Sequence, residues 1–144
     1  MKRTYIKLKD KRLIRTRAKG CCEYCQMLQD FATETFVIEH IIPLSKEGSN
    51  LLENLAYACF GCNSHKHAKL VATDPVTGKK VALFHPRKQI WKEHFKWNKD
   101  FTIILGITSV GRATIKALKM NRSQLINLRT LIFLFGDHPP KHTI

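Results

Sequence analysis

Between Phe36 and Lys69 the sequence FVIEHIIPLSKEGSNLLENLAYACFGCNSHKHAK concentrates side chains that bind metals or move protons. Cys59 and Cys62 form a C-x-x-C knuckle, and Cys22 and Cys25 form a second one upstream. Two such pairs read as one tetrahedral zinc site, because a structural Zn²⁺ takes four soft ligands and each knuckle offers two from a tight turn. Cys21 would leave a longer, still permissible gap to Cys25, but the two-residue gap favours Cys22 as the ligand. Around the knuckles lie Glu39, His40, Asn54, Asn63 and His67. Carboxylate, carboxamide and imidazole are harder donors than thiolate, and they suit a second, oxygen-preferring ion.

The elements that must position these groups follow from the local pattern. Thr35 to Ile42 is β-branched and aromatic, and Pro43 stops it, so a strand is expected with Glu39 and His40 near its end on opposite faces. A loop over 45–52 crosses the site, and Leu55 to Cys59 suits a short return strand. A helix from Gly61 or Cys62 to about Leu70 would set Asn63 and His67 four apart on one face. Upstream, Asp10 to Lys19 forms a basic helix with Leu13, Ile14 and Ala18 as its apolar strip. Downstream, the Asp74-Pro75-Val76-Thr77-Gly78 turn signals a hairpin over 70–84. The aromatics of FHPRKQIWKEHFKW (84–97) are assigned to the core, although such interleaving with basic residues can also stack on bases. A strand is expected over 101–107. Two helices complete the reading. Ser109 caps the first, with Val110, Ala113, Ala117 and Leu118 as its stripe. Asn121 caps the second, with Leu125, Leu128, Leu131, Ile132 and Phe135, and Gly136 stops it.

The 144 residues carry a formal charge of +14, which favours a polyanionic partner, nucleic acid first. Nine basic residues against one acid fall within the first nineteen positions, and that face is either a phosphate-binding surface or a solvated one. No apolar run approaches a membrane span and no signal-like segment follows the basic N-terminus, so neither a membrane nor a secretory route is expected. An odd cysteine count in paired knuckles favours metal over disulfides, hence a reducing, cytoplasmic location.

The motif Cys22-x-x-Cys25, Ile38-Glu39-His40-Ile41-Ile42-Pro43-Leu44-Ser45, Glu53-Asn54-Leu55, Cys59-x-x-Cys62-Asn63 closely resembles the HNH endonucleases of the ββα-metal fold. The tail also resembles a group of small bacterial HNH proteins, through Leu83-Phe84-His85-Pro86-Arg87, Trp91, His94-Phe95, Trp97 and Gly111-Arg112-Ala113-Thr114. The resemblance implies an α+β fold in one domain over 1–144. Its ββα core, about 18–70, carries a zinc-ribbon-like four-cysteine site behind the N-terminal basic helix. The extension, 71–144, supplies a hairpin and two helices.

It further implies a metal-dependent endonuclease acting on DNA, most simply double-stranded, with no small-molecule substrate. In that scheme His40 is the general base, and Asn54 holds the loop that aims it. Glu39 stands where aspartate is usual and binds the catalytic ion with Asn63, and His67 falls where some members place a further ligand. The ions implied are structural Zn²⁺ at Cys22, Cys25, Cys59 and Cys62, and catalytic Mg²⁺ or Mn²⁺. Glutamate for aspartate, and His67 in place of the usual glycine after the lysine, are the departures from the pattern. Lys46, Lys66, Lys69, Arg12 and Arg15 are the expected phosphate contacts. Two other readings remain: a zinc-ribbon nucleic-acid-binding module with little catalysis, and an HNH nuclease acting on RNA or structured DNA. His65, His85, His94, His138 and His142 have no motif behind them.

Overall fold

A computed structural model describes residues 5–144; Lys2 and Arg3 of the basic N-terminal run lie outside them. Helix α1 (Leu8–Arg17) is charged on most of its surface and buries Ile14, with Ala18 just past its end, while Leu13 of the expected strip stays half exposed. Gly20, at φ +69°, turns the chain out of the helix into the first cysteine knuckle. Arg17 donates to the Leu55 carbonyl, fastening α1 to the centre of the fold.

The centre is a two-stranded antiparallel hairpin, β1 (Val37–His40) with β2 (Leu55–Ala58), in the register Glu39↔Ala56 and His40↔Leu55. β1 is shorter than the expected 35–42 because Ile41 and Ile42 leave the ladder. Their amides bond instead to the carbonyl and the side chain of Asn54. Helix α2 (Phe60–Lys66) follows β2 directly. It ends well before the expected Leu70, because His67 takes up φ 49°, ψ −125°, which breaks the helical path.

The extension opens with the expected hairpin, β3 (Val71–Thr73) with β4 (Lys80–Ala82), closed by Asp74 and Gly78. A short helix α3 (Trp91–His94) runs into β5 (Phe95–Trp97), which pairs with β6 (Ile104–Gly106). Helices α4 (Ser109–Leu118) and α5 (Ser123–Leu134) follow, and a short 3-10 turn, Lys141–Thr143, comes after them. The cap of α4 is Thr108, whose hydroxyl accepts from the Gly111 amide at 3.0 Å, and not Ser109. Asn121 does not cap α5 either; its carboxamide pairs with the amide and carbonyl of Ile104, and Arg122 takes the capping position. On α5, Leu125 and Ile132 are buried, but Leu131 and Phe135 are exposed, contrary to the reading of one apolar stripe.

Tyr24, Cys22, Cys25, Leu55 and Cys62 belong to the same hydrophobic cluster as Phe84, Trp91, Phe95, Trp97, Leu118 and Ile132. The aromatics of 84–97 are therefore core, as expected. Trp91 links them directly to the first knuckle, since its indole N–H donates at 2.8 Å to the carbonyl of Tyr24 within that knuckle. Arg112 of α4 forms a two-pronged pair with Asp74, both bonds 2.9 Å, tying α4 to the β3–β4 turn.

Candidate active site and metal centre

The two knuckles meet. In the first, the Cys22 amide bonds Met27 O and the Gln26 amide bonds Cys22 O, a tight turn that aims both thiols inward. In the second, Cys59 is the N-cap of α2 and its Sγ accepts from the Cys62 amide at 3.4 Å. The four sulfurs of Cys22, Cys25, Cys59 and Cys62 lie within 4.8 Å of one another, all buried. Hydrogen bonds from Cys22, Cys25 and Cys62 hold the Cys59 thiol far below its usual range, while burial pushes Cys22 well above it. Four soft donors converging in a dry pocket fit a tetrahedral Zn²⁺. Cys21 is buried too, but its thiol points to the Lys19 carbonyl, 3.6 Å away, and stands outside this group.

At the end of β1 the alternation of the strand separates Glu39 from His40. His40 is half-buried, and its Nε2 lies 2.9 Å from Asn50 Oδ1. Asn54 is buried beneath the loop that follows. Its Oδ1 accepts from the Ile42 amide at 2.9 Å, and its Nδ2 donates to Ile42 O at 3.0 Å and Ser49 O at 2.8 Å. Gly48 is required inside this loop because a Cβ there would collide with the Ile42 carbonyl.

Glu39 faces the interior at 4% exposure. The Tyr24 hydroxyl donates to its Oε2 at 2.5 Å, and the Lys66 ammonium lies in ionic contact with Oε1 while donating to Ile41 O at 2.8 Å. Burial raises the Glu39 carboxyl pKa, against the pull of Lys66. Lys66 is 1% exposed, so the expectation that it clamps phosphate is corrected: its charge is spent on Glu39. Asn63 is half-buried on α2, whereas His67 is exposed and has left the helix, so the two do not share a helical face. Among the described residues, the four cysteines are the only group of three or more His, Cys, Asp or Glu placed to hold a metal, so Glu39, His40 and His67 do not form one.

The donor types of Glu39 and Asn63 suit a hard divalent ion. The Lys66 ammonium lies directly against Glu39 Oε1, so an ion and the ammonium would compete for one carboxylate. Lys46, Lys69, Arg12 and Arg15 are all exposed. Arg12 and Arg15 line a groove of about 560 Å³ with Tyr5, Phe36 and Tyr57 beside β1. Asn50, Tyr24 and the Lys66–Glu39 pair were not found from the sequence. Buried pairing has no local signature beyond the place of Lys66, one helical turn from Cys62 on a short helix.

A β-hairpin running into a helix, with a cysteine knuckle feeding that helix and a second folding over it, defines a zinc-type ββα core. The family model described as HNH endonuclease matches residues 22–69, a third of the chain, and agrees with the likeness drawn from the motif. That match supports a nuclease-type function; HNH nucleases act on nucleic acid. No curated protein and no solved structure matches the chain. Among the described residues, no helix is long and apolar enough to cross a membrane.

Proposed function

We propose that the chain is a divalent-metal-dependent HNH endonuclease that hydrolyses phosphodiester bonds of DNA, with His40 as general base. The arrangement of His40 carries this reading. With Asn50 Oδ1 accepting, the imidazole proton sits on Nε2, and the Nδ1 lone pair is left to take a proton from an attacking water. Asn54 acts on the base through the loop it clamps. Glu39 and Asn63 are the proposed oxygen donors for Mg²⁺ or Mn²⁺, and His67 is the proposed further ligand. Such an ion, when bound, neutralises the non-bridging oxygen and the departing 3′-oxygen. Products then carry 5′-phosphate and 3′-hydroxyl ends.

Arg12, Arg15, Lys46 and Lys69 are the proposed phosphate contacts, while Lys66 is buried against Glu39. The shared core supports one domain over the whole chain, and the free, clustered cysteines support a reducing, cytoplasmic setting. One observation favours a second reading: the Lys66 ammonium against Glu39 is what a zinc-ribbon binding module with little catalysis would show. Incubating the purified protein with plasmid and with RNA, in EDTA, Mg²⁺ or Mn²⁺, separates the readings. Plasmid cleavage that requires the divalent ion supports the proposal. Tight binding with no cleavage of either substrate supports the module, and preferential cleavage of RNA moves the substrate class.

A further inference from the structure

The four-cysteine site has a neighbour contributed from far along the chain. Arg122, at the head of α5, points its guanidinium at the second knuckle. Nη2 lies 3.4 Å from Cys59 Sγ, and Nη1 lies 3.7 Å from Cys62 Sγ. The same Nη1 faces the carbonyls of Lys119 at 3.1 Å and Leu118 at 3.4 Å, which fix the group in place. Gly61, between the two cysteines, leaves the room: a Cβ there would run into the guanidinium. Cys59 is the least buried of the four residues, at 7% exposure against 0–1% for the others, and its sulfur is the one that Arg122 approaches most closely.

A zinc ion with four thiolates carries two net negative charges, and its sulfurs remain nucleophilic. Hydrogen bonds from a cation lower both the basicity and the reactivity of a thiolate. We propose that Arg122 is a positioning residue of the zinc site, a counter-cation from the extension that shields Cys59 and Cys62 from electrophiles and slows loss of the metal. A second arginine of α5, Arg129, is fully buried and bonded to the carbonyls of Thr102 and Met120, so it adds charge behind the site without touching sulfur. The C-terminal extension is thereby part of the metal centre.

This inference rests on the zinc reading, and the experiment keeps the two apart. Zinc content is first measured on the wild-type protein. Wild type, Arg122→Gln, Arg122→Lys and Gly61→Ala are then treated with N-ethylmaleimide, and the zinc released is followed with a chromogenic chelator. Arg122→Gln should release zinc about tenfold faster, the worth of one charge-assisted hydrogen bond. Arg122→Lys should stay near wild type. Gly61→Ala, which displaces the guanidinium without removing it, should fall between. In cobalt-substituted protein, Arg122→Gln should move the thiolate-to-cobalt charge-transfer band to lower energy, and Arg122→Lys should return it. If Arg122→Gln does not fold, Gly61→Ala decides by the same two readings. Zinc-containing wild type with release rates and bands matching those of the variants overturns the inference alone. Folded wild type without zinc overturns the zinc reading and this inference with it.

Discussion

At the scale of single residues, His67 has a strained backbone. Its φ of 49° with ψ of −125° belongs to glycine's territory, and a side chain there costs on the order of 1–3 kcal/mol. His67→Gly is therefore expected to raise thermal stability. If the imidazole is a metal ligand, the same change also weakens divalent-dependent cleavage, so melting and cleavage assays on one variant separate strain from function. The motif made the His67 position visible but not its conformation, because helical spacing cannot report where a helix stops. Asn54 was the opposite case: the resemblance to the HNH motif marked it, and the structure shows it bonding three backbone groups of the loop.

At the scale of elements, two ion pairs join pieces that the sequence left separate. Lys66 on α2 and Glu39 on β1 form a buried pair, and truncating either partner alone should cost about 3–5 kcal/mol. Lys66→Ala should lose that stability in denaturant titrations. Mn²⁺ should return part of it if the freed Glu39 carboxylate takes the ion. Asp74 and Arg112 join the β3–β4 turn to α4, and the guanidinium's hydrogen bonds hold the Asp74 carboxyl well below the usual carboxylate range. A depressed carboxyl stabilises the fold above its unfolded pKa of about 3.9 and loses that contribution as pH falls toward the folded value. Unfolding followed below pH 5 should thus show a shallower acid loss for Asp74→Asn than for wild type. The hairpins and the helices that carry the site were legible in the sequence, since turn residues and apolar runs are local signals. The caps of α4 and α5 were not. Thr108 and Ser109 are equivalent in sequence, and Asn121 is diverted to Ile104, seventeen residues away.

At the scale of the whole molecule, the knuckles, hairpin and extension share one hydrophobic cluster, so damage in the tail should reach the site. Trp91→Ala, which removes the indole between Phe95 and the knuckle, should destabilise the protein by about 3–5 kcal/mol. The net charge of +14 predicts nucleic-acid affinity that falls steeply with salt. Replacing Arg12 and Arg15 with glutamine should flatten that slope by roughly one unit for each phosphate the arginine had neutralised. An unchanged slope would make α1 a solvated face only. The charge was readable from composition, whereas its place beside β1, in a groove lined with aromatics, needed the fold. The central claim is that His40 activates water on this scaffold. It is tested most directly by the rate of plasmid cleavage in Mg²⁺ or Mn²⁺ for wild type and His40→Ala, at matched zinc content and matched circular dichroism. The variant is predicted to lose about 10²–10⁴-fold in rate while binding DNA as wild type does. A folded, zinc-containing His40→Ala protein that cuts at the wild-type rate would contradict the claim.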